Sequence, residues 1–375
     1  MFQNQLINGI LLLRGEKMKV IVGAGGTGGH LYPALALVEY IKEVEPDSQF
    51  LFVGTKDRLE SEVVPKMGYD YIGLNVRGLV GNPIKKGIAA LIFVKSIFTA
   101  KKIVKKFNPD IVIGFGGYPS ASIVEAAARL GYKTMIHEQN SIIGLTNRIL
   151  VKSVDRIVCC YDKAYEAFPK EKTYKLGNPR ASVIAKIEPK DIFSKYNLDK
   201  NKPLVTIVMG SLGSKSVNEK MIESLKTFEK KDYQVLYVTG KPFYQEMSQQ
   251  LGNLSANVKL VPYIDDMPSV LKSTTLVVSR AGASTLAEIT AVGIPSILIP
   301  SPYVVANHQE YNALELANNN AAMMILENEL NSQDFVKQVD EIINNQMLQE
   351  SMKQNDKALG QRNACRDIYQ LIKEM

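Results

Sequence analysis

Short apolar runs alternate along the chain with longer stretches of helical periodicity. Runs of β-branched and other apolar residues predict strands buried on both faces, and the stretches between them predict the crossover helices of βα units. One series of runs lies at 20–22, 50–53, 111–113, 134–136 and 156–158, and a second at 204–208, 234–238, 258–261, 276–278 and 297–299. We therefore expect an α/β protein with two Rossmann-like, doubly wound parallel sheets.

The stretch between the two series is typical of a linker with a short helix, since it carries Pro189, Pro203 and many charges. We place an N-terminal domain at 18–181, the linker at 182–203, a C-terminal domain at 204–350 and C-terminal helices at 351–375. Because Met18 and Lys19 directly precede the first strand, residues 1–17 are predicted to be an extension outside the fold. A chain of 375 residues agrees with two domains of roughly 150 residues each.

Composition narrows the class of protein. A hydrophobic fraction of 46% with 22% charged residues is typical of a globular enzyme. The net charge is +7, and the basic excess lies in residues 1–180, which hold 25 basic and 16 acidic side chains against 20 and 22 in residues 181–375. Such an excess suits nucleic acid, an anionic membrane or a phosphorylated substrate. The chain has no Trp and no basic stacking platform, which argues against nucleic acid.

The three cysteines form neither a disulfide framework nor a CxxC metal site, because Cys159 and Cys160 are adjacent and Cys365 is distant in sequence. This pattern indicates a reducing cytosolic compartment. No uninterrupted apolar stretch reaches the roughly 20 residues that would span a bilayer, so any membrane contact is expected to be peripheral.

Four glycine-rich loops follow predicted strands, at 23–30, 114–120, 210–213 and 279–285. Glycine permits close backbone approach, and a helix N-terminus behind the loop attracts anions such as phosphate. The first loop also matches a dinucleotide fingerprint, but the second strand ends in Val53-Gly54-Thr55 without the acid that would bind ribose, and no GK[ST] follows. Because ligands of open α/β sheets bind at the carboxyl ends of strands, two loops in each half favour a cleft between the domains.

Seven motifs occur in order: GGTGGHxxPALA at 25–36, GGYPS at 116–120, HEQNxxxGLTN at 137–147, GNPR at 177–180, IDDM at 264–267, SRAGASTLAE at 279–288 and HQEYNA at 308–313. Together they resemble the MurG family of peptidoglycan N-acetylglucosaminyltransferases, and the resemblance covers the chain from Met18 onward. It implies a GT-B fold and an inverting transfer from UDP-N-acetylglucosamine to the muramoyl 4-hydroxyl of lipid I, which yields lipid II and UDP. Beyond the donor substrate it implies no cofactor.

The resemblance also implies the donor site. The matching positions are Thr27, Gly28, Gly29, Asn140, Arg180, Ser211, Ile264, Ala283, Ser284, Thr285, Leu286, Ala287, Glu288, Gln309 and Asn312. Ser211 and the backbone at 283–285 can donate to a diphosphate, and Glu288 can accept from ribose hydroxyls. The family loop usually has a second glycine where this chain has Met209, which changes the loop but keeps Ser211.

The acceptor diphosphate is expected at the two N-terminal glycine loops, through Gly25, Gly26, Gly116, Gly117, Tyr118 and Ser120. Direct inversion needs a general base for the attacking hydroxyl. His30 and Glu138 are the candidates, and an imidazole pKa of about 6.5 suits a base near neutral pH. His30 alternatively caps its helix or binds phosphate, while His137 is better interpreted as a buried structural histidine.

No metal site is expected. Hard cations need converging oxygen ligands, and the pair Asp265-Asp266 belongs to the IDDM segment, where it precedes a helix start that it can cap. We therefore expect metal-independent transfer.

The segment 83–107 contains seven lysines and no acid. As a helix it would present one face formed by Ile84, Ile88, Leu91, Lys95, Phe98 and Lys102, with Lys101 beside it. An apolar face edged by lysines suits anionic lipid headgroups. The alternative is an ordinary amphipathic helix whose lysines extend over the edge of the core.

We expect a peripheral protein on the cytoplasmic face of the plasma membrane, with the lipid-linked acceptor, the anionic leaflet and other cell-wall synthesis proteins as partners. Two other functions stay open at this point. One is another GT-B enzyme, such as a glycolipid synthase or a UDP-sugar epimerase, and the other is a non-catalytic subunit that binds nucleotide sugar.

Overall fold

The computed structural model describes residues 6–7, 10–11, 17–76, 78 and 82–375. They form two compact units. Unit 1 is Met1–Arg180 together with Asn363–Met375, and unit 2 is Ala181–Arg362. Most of the predicted extension at 1–17 lies outside the described residues.

Fifteen strands are described: β1 (Leu6–Ile7), β2 (Ile10–Leu11), β3 (Lys19–Ala24), β4 (Gln49–Thr55), β5 (Asp70–Leu74), β6 (Ile111–Gly116), β7 (Lys133–Glu138), β8 (Arg156–Cys159), β9 (Thr173–Lys175), β10 (Leu204–Val208), β11 (Gln234–Val238), β12 (Val258–Val261), β13 (Leu276–Ser279), β14 (Ser296–Leu298) and β15 (Ala322–Met324). β1 and β2 pair with each other in antiparallel orientation.

Sixteen α-helices are described: α1 (Gly28–Val44), α2 (Leu59–Lys66), α3 (Pro83–Phe107), α4 (Tyr118–Ala128), α5 (Leu145–Leu150), α6 (Asp162–Ala167), α7 (Pro179–Lys186), α8 (Ile192–Tyr196), α9 (Lys215–Phe228), α10 (Tyr244–Leu251), α11 (Met267–Lys272), α12 (Ala283–Val292), α13 (His308–Ala317), α14 (Ser332–Asn344), α15 (Gln346–Leu359) and α16 (Ala364–Lys373). Short 3₁₀ turns occur at Lys170–Lys172, Lys241–Phe243 and Val305–Asn307.

The sheet of unit 1 has seven parallel strands in the order β5-β4-β3-β6-β7-β8-β9. Alternate residues of β3 point to opposite faces, so Val20 and Val22 pack with α1 and α16, whereas Ile21 packs with α3 and α4. The chain moves outward from β3 to β5 and then resumes at β6 on the other side of β3. The switch point of this sheet therefore lies between β3 and β6.

Unit 2 repeats this plan with six parallel strands in the order β12-β11-β10-β13-β14-β15. Val205 and Ile207 of β10 pack into one core with α9 and α14. Leu204 and Val208 pack on the opposite face, against Ile192 of α8 and Val270 of α11. Its switch point lies between β10 and β13.

The predicted fold class, an α/β GT-B protein with two doubly wound parallel sheets, is confirmed. Every strand predicted from an apolar run is present within three residues of its expected bounds. β5, β9 and β15 were not predicted, because each is an edge strand whose residues are partly exposed and therefore lack an apolar run.

Two segments lie differently from the predicted domain bounds. The stretch 182–203 contributes α8 to the core of unit 2, and α15 also lies in unit 2, where it packs on α12. Only α16 returns to unit 1. There Cys365, Ile368 and Leu371 join the core beside α1, while Tyr369 and Lys373 bond to Glu45 at 2.6 and 2.9 Å.

Candidate active site

The switch point of unit 1 brings two glycine loops together. β3 and β6 pair through Gly23 and Gly114, and the register shifts by one residue at the next position, where Ala24 pairs with Gly116. α1 begins shortly after β3 and α4 directly after β6, so two helix N-termini meet at one edge of the sheet. Among the described residues, no side chain caps either helix.

The two loops are in direct backbone contact. Gly116 has φ of +112° and lies against the His30 ring, so a Cβ there would be 2.7 Å from Cδ2 of the imidazole. A Cβ on Gly117, with φ of +83°, would be 2.4 Å from the carbonyl oxygen of Gly25. Neither position can carry a side chain without moving the other loop.

His30 is half-buried at this contact, and its tautomer follows from its partner. Nδ1 lies 2.8 Å from the Gly25 carbonyl oxygen and 3.4 Å from Oγ1 of Thr27. Because a carbonyl oxygen only accepts, Nδ1 carries the proton and Nε2 is the basic nitrogen. This is the protonation that a general base acting through Nε2 requires.

Glu138 has a different environment. Its carboxylate is buried and accepts from the backbone N–H of Gly144 at 2.8 Å, the backbone N–H of Asn140 at 3.0 Å and the Asn147 amide at 2.9 Å. Burial raises the pKa of Glu138 above its usual value, although these hydrogen bonds oppose the change. The contacts make Glu138 the organiser of the loop that presents Asn140, and they favour His30 over Glu138 as the base.

His137 is buried and stacks on Phe115, with ring centroids 5.1 Å apart. Its Nε2 lies 3.0 Å from the Gly177 carbonyl, and burial lowers the pKa of the ring. These contacts agree with the structural interpretation of His137.

The residues predicted for the acceptor diphosphate divide into two groups. Ser120 is fully buried, and its Oγ accepts from the Gly116 N–H at 3.4 Å, so it supports the loop from beneath. The Gly26 N–H is already directed at the Glu60 carboxylate, at 3.2 Å from both oxygens. The starts of α1 and α4 offer N–H groups to an anion, among them those of Gly28, Gly29 and Tyr118.

The sequence analysis missed Glu60. It is buried in the first turn of α2 and also accepts from the N–H and hydroxyl of Thr55, at 2.9 and 2.7 Å. An acid in the first turn of a helix that follows a buried strand was the available signal. The acid that a dinucleotide fingerprint predicts would lie at the strand end itself, whereas Glu60 lies five residues after Thr55, on the following helix.

The switch point of unit 2 has the same plan. Gly210 and Gly213 have φ of +81° and +74°, and a Cβ on Gly213 would be 2.1 Å from the Thr239 carbonyl oxygen. Ser211, between them, is exposed. After the adjacent strand β13, α12 begins at Ala283, and the Ser284 hydroxyl is buried without a hydrogen-bond partner among the described residues. The exposed Ser211 and the N-terminus of α12 therefore lie at the same edge of the sheet.

Arg280 holds these loops together from beneath. It is buried, donates to the Ser214 hydroxyl at 2.8 Å and to the carbonyls of Ile299 and Pro300 at 3.1 and 3.2 Å. It also forms an ion pair of 2.5 Å with the buried Glu327. Burial alone would raise the pKa of Glu327, but hydrogen bonds from Ser216 and Arg280 lower it below its usual value.

The other predicted donor positions differ in exposure. Thr285, Ala287, Gln309 and Arg180 are half-buried, whereas Ile264, Leu286, Glu288 and Asn312 are buried. The Gln309 side-chain oxygen accepts from the Ser301 N–H at 2.9 Å, and the Asn312 amide donates to the Ala281 carbonyl at 3.2 Å. The Leu286 side chain is fully buried, and its N–H donates to the Gly282 carbonyl at 3.0 Å in the first turn of α12. Asn312 fixes the turn that precedes α12.

Asp266 caps α11, as the sequence predicted. Its carboxylate accepts from the Ser269 N–H at 3.2 Å and from the Ser269 hydroxyl at 2.8 Å. In the part of the chain that the structure describes, no group of three or more His, Cys, Asp or Glu side chains could hold a metal ion.

α3 presents an exposed apolar face. Leu91 is 73% exposed, Phe98 63%, Val94 51% and Ile88 48%. Lys95 and Lys102 are exposed on the same face, Lys101 is half-buried, and the Ile84 side chain lies outside the described residues. The opposite face packs on α4 through Ile97, Ala100 and Val104. Within the described ranges, no helix is both long and apolar enough to cross a membrane.

Two parallel-sheet units, each with glycine turns and helix N-termini at its switch point, have the architecture of GT-B proteins, and the family models identify the class as glycosyltransferase. Residues 20–159 match the glycosyltransferase family 28 N-terminal domain, and residues 204–371 match its C-terminal domain. The chain belongs to glycosyltransferase family 28, and within it to the UDP-N-acetylglucosamine–N-acetylmuramyl-(pentapeptide) pyrophosphoryl-undecaprenol N-acetylglucosamine transferases.

Curated relatives with that name include one from Pediococcus pentosaceus, 41% identical over 96% of this chain and 99% of its own, and one from Leuconostoc mesenteroides, 43% identical over 95% and 98%. The crystal structure of Acinetobacter baumannii MurG is 26% identical, with a TM-score of 0.79 over 96% of this chain and all of that one. A putative UDP-N-acetylglucosamine 2-epimerase from Listeria monocytogenes is 15% identical with a TM-score of 0.69, which shows a shared fold alone.

Proposed function

We propose that the chain transfers N-acetylglucosamine from UDP-N-acetylglucosamine to the muramoyl 4-hydroxyl of undecaprenyl-diphosphoryl-N-acetylmuramoyl-pentapeptide and releases UDP. The observation that carries this proposal is 41% identity over 96% of the chain to a relative whose name states these substrates. The full set of family motifs, present in both units, supports it. The enzyme acts in peptidoglycan biosynthesis.

Unit 2 binds the donor. The N-termini of α9 and α12, with Ser211, Ser284 and Thr285, donate to the diphosphate, and Arg280 holds the loops in place through Ser214 and the carbonyls of Ile299 and Pro300. The other proposed donor contacts in unit 2 are Ile264, Ala287, Glu288 and Gln309. The donor-binding positions proposed in unit 1 are Thr27, Gly28, Gly29, Asn140 and Arg180. Leu286 and Asn312 act by shaping α12 and its preceding turn.

Unit 1 binds the acceptor and supplies the base. The acceptor oxygen attacks C1 of the sugar as the bond from C1 to the UDP oxygen breaks, and the electron pair of that bond leaves with UDP. The hydroxyl proton passes to Nε2 of His30. Attack on the face opposite the leaving group inverts the configuration at C1, and the helix N-termini in unit 2 stabilise the charge that develops on UDP.

α3 docks on the membrane. Its exposed residues Ile88, Leu91, Val94 and Phe98 form an apolar surface flanked by lysines, which suits insertion among anionic headgroups. Since the acceptor is anchored in the bilayer by its undecaprenyl chain, this surface brings the loops of unit 1 to the acceptor headgroup. The enzyme is then peripheral on the cytoplasmic face, beside other cell-wall synthesis proteins.

The transfer is tested with radiolabelled UDP-N-acetylglucosamine and a lipid I analogue. Labelled disaccharide-lipid that forms over many turnovers supports the proposal. Label recovered as a UDP-sugar epimer without acceptor, or bound donor without turnover, overturns it in favour of an epimerase or a binding subunit. An EDTA arm tests metal independence, because loss of all activity in EDTA contradicts it.

The membrane surface is tested by sedimentation with vesicles that contain phosphatidylglycerol. Replacing Lys95, Lys101 and Lys102 by Glu is expected to reduce binding at least tenfold, because each basic residue near an anionic surface contributes about 1 kcal/mol. The matched control replaces the exposed Lys200, Lys226 and Lys230 of unit 2 by Glu and changes the net charge equally. Equal binding by the two variants contradicts the docking proposal.

A further inference from the structure

The buried carboxylate of Glu60 contacts the backbone that carries the base. Glu60 lies on α2, which follows β4, whereas the first glycine loop follows β3. One oxygen accepts from both Thr55 donors, and both oxygens lie 3.2 Å from the Gly26 nitrogen. Since none of the donor and acceptor contacts above uses Glu60, its burial calls for a separate role.

The peptide unit between Gly25 and Gly26 is bonded at both ends. Its N–H points to the Glu60 carboxylate, and its carbonyl accepts from Nδ1 of His30 at 2.8 Å. A negative charge on the N–H side increases the electron density of the carbonyl oxygen, because consecutive hydrogen bonds polarise one another. The carbonyl thereby becomes a stronger acceptor for the imidazole N–H.

The local sequence leaves room for this contact. A Cβ on Gly25 would be 2.9 Å from Oε1 of Glu60 and 2.6 Å from Pro119, and a Cβ on Gly54 would be 2.5 Å from Cγ of Glu60. A glycine in the loop after β3 and a second glycine near the end of β4 are therefore both needed for the Glu60 side chain to reach the peptide. Tyr71 adds a hydrogen bond to the Thr55 carbonyl on the other side.

Several titratable groups lie near this loop. Tyr32 is on the same helix as His30, and the elements packed on the loop bring Glu60 from α2, Tyr71 from β5 and Tyr118 from α4. Burial raises the pKa of Tyr71, with smaller contributions from Glu60 and from Asp57, which lies just before α2. Of the two carboxylates, Glu60 is the one bonded to the Gly26 N–H.

We propose that Glu60 is a positioning residue for His30, acting through the Gly25–Gly26 peptide to keep the proton on Nδ1 and to stabilise the imidazolium formed when Nε2 accepts the substrate proton. The imidazolium part rests on the proposed function, in which His30 is the base. The arrangement places one amide where a catalytic dyad would have a direct carboxylate–imidazole contact.

The first test is NMR of the full-length protein labelled with ¹⁵N-histidine. The chain has three histidines, so the His30 signals can be assigned by single replacements. In the wild type the neutral ring is expected to be protonated at Nδ1. In Glu60→Gln we expect a mixture of tautomers and a His30 titration midpoint lower by about 0.5 to 1 pH unit, since the neutral amide stabilises the imidazolium less.

Two internal references accompany this measurement. His308, whose Nδ1 lies 2.8 Å from the Val305 carbonyl, belongs to unit 2 and its signals should not change. Glu45→Gln replaces another buried carboxylate, at the far end of α1 and roughly 20 Å from His30 at 1.5 Å per residue. It should leave the His30 signals as in the wild type.

The kinetic counterpart is the pH profile of the transfer reaction. Glu60→Gln is expected to lower kcat about tenfold and to move the acidic limb to lower pH, while KM for UDP-N-acetylglucosamine stays within about twofold. A purely structural role of Glu60 would lower the amount of folded enzyme without moving the limb.

The outcomes separate the two proposals. Unchanged His30 tautomer and titration in Glu60→Gln overturn the Glu60 proposal, whatever the activity. If His30→Ala keeps full activity, the base assignment fails, while the NMR result still decides whether Glu60 controls the ring. If Glu60→Gln does not fold, Glu60→Asp gives the same readout, because it keeps the charge but withdraws it from the peptide by one methylene.

Discussion

In unit 1, buried carboxylates organise two loops: Glu60 accepts from Gly26 and Thr55 beside the switch point, and Glu138 accepts from Asn140 and Gly144 in the loop after β7. In unit 2, the corresponding loops are organised by a buried cation, because Arg280 donates to Ser214, Ile299 and Pro300 and pairs with Glu327. The two sheets share a topology, but carboxylates organise the loops of unit 1, whereas an Arg–Glu ion pair whose arginine donates to loop oxygens organises those of unit 2.

This difference determines which backbone groups remain for a ligand. An anion beneath a loop attracts N–H groups inward, and in unit 1 this turns the Gly25 carbonyl towards His30. A cation attracts carbonyl and hydroxyl oxygens inward, so the N–H groups at the starts of α9 and α12 are left to face outward. Unit 1 is thereby suited to accept a proton, and unit 2 to hold the diphosphate of a leaving group.

His30→Ala is the variant expected to have the largest effect on the contrast between the two units. Removing a general base is expected to lower kcat by about 10² to 10⁴-fold, whereas UDP binding, which depends on the loops of unit 2, should stay unchanged. Steady-state kinetics and calorimetric titration with UDP measure the two effects separately. A kcat within tenfold of the wild type would show that unit 1 does not supply the base through this residue.

Arg280→Met tests the cation in unit 2. It leaves Glu327 buried without its partner, so the free energy of unfolding should fall by about 3 to 5 kcal/mol. UDP affinity should fall as well, because the loops lose their common anchor. The control is the double variant Arg280→Met/Glu327→Leu, which should recover most of the stability but not the affinity. Chemical denaturation gives the stability, and a loss under about 1 kcal/mol contradicts the expectation.

Asp356→Asn tests a buried carboxyl group in unit 2 that lacks a hydrogen-bond partner among the described residues. Both carboxylate oxygens of Asp356 are buried without a hydrogen bond among the described residues, and burial raises its pKa from 3.8 to about 8. Between these values the folded chain keeps a proton that the unfolded chain releases. Stability should therefore fall as pH rises through this window, by up to about 1.4 kcal/mol per pH unit.

The asparagine variant should be more stable than the wild type above pH 6 and should show a flatter pH profile. Thermal unfolding at pH 5, 7 and 8.5 measures this, with the exposed Asp265→Asn as control. If the difference between Asp356→Asn and the wild type does not change with pH, Asp356 is not held protonated in the folded state.

Glu45→Gln tests a buried anion in unit 1 that has its partners. Tyr369 and Lys373 of α16 hold the carboxylate, and although burial opposes the change, their hydrogen bonds lower its pKa. Since Lys373 is partly exposed, we expect a loss of only about 1 to 2 kcal/mol in unfolding free energy, with kcat unchanged. Denaturant titration measures the loss, and a kcat reduced beyond twofold would argue that the charge affects His30.

Much of the fold could be predicted from the sequence because parallel strands buried on both faces are continuous apolar runs. β10, β11 and β12 have the bounds that their runs predict. β5 and β9 were not predicted for the converse reason, since each lies at an edge of the sheet and has only one buried residue. Their pairing depends on neighbours distant in sequence.

A site residue could be predicted from the sequence where its role depends on residues close to it in the chain. The glycine loops, His30 and the cap at Asp266 could each be inferred from residues within one local segment. Glu60 and Arg280 could not be assigned roles, because these depend on contacts with other loops, such as Gly26 for Glu60 and Ile299 for Arg280. Burial likewise could not be read locally, so Ser120 was expected at the ligand although it supports the loop from inside.

The return of α16 to unit 1 has a consequence for synthesis on the ribosome. Cys365, Ile368 and Leu371 cover the apolar side of α1, the helix that carries His30, yet they are translated after all of unit 2. At about 5 to 20 residues per second, the roughly 180 intervening residues take on the order of 10 to 40 s. During that interval the nascent first unit exposes a hydrophobic strip, which makes it a substrate for chaperones until α16 emerges.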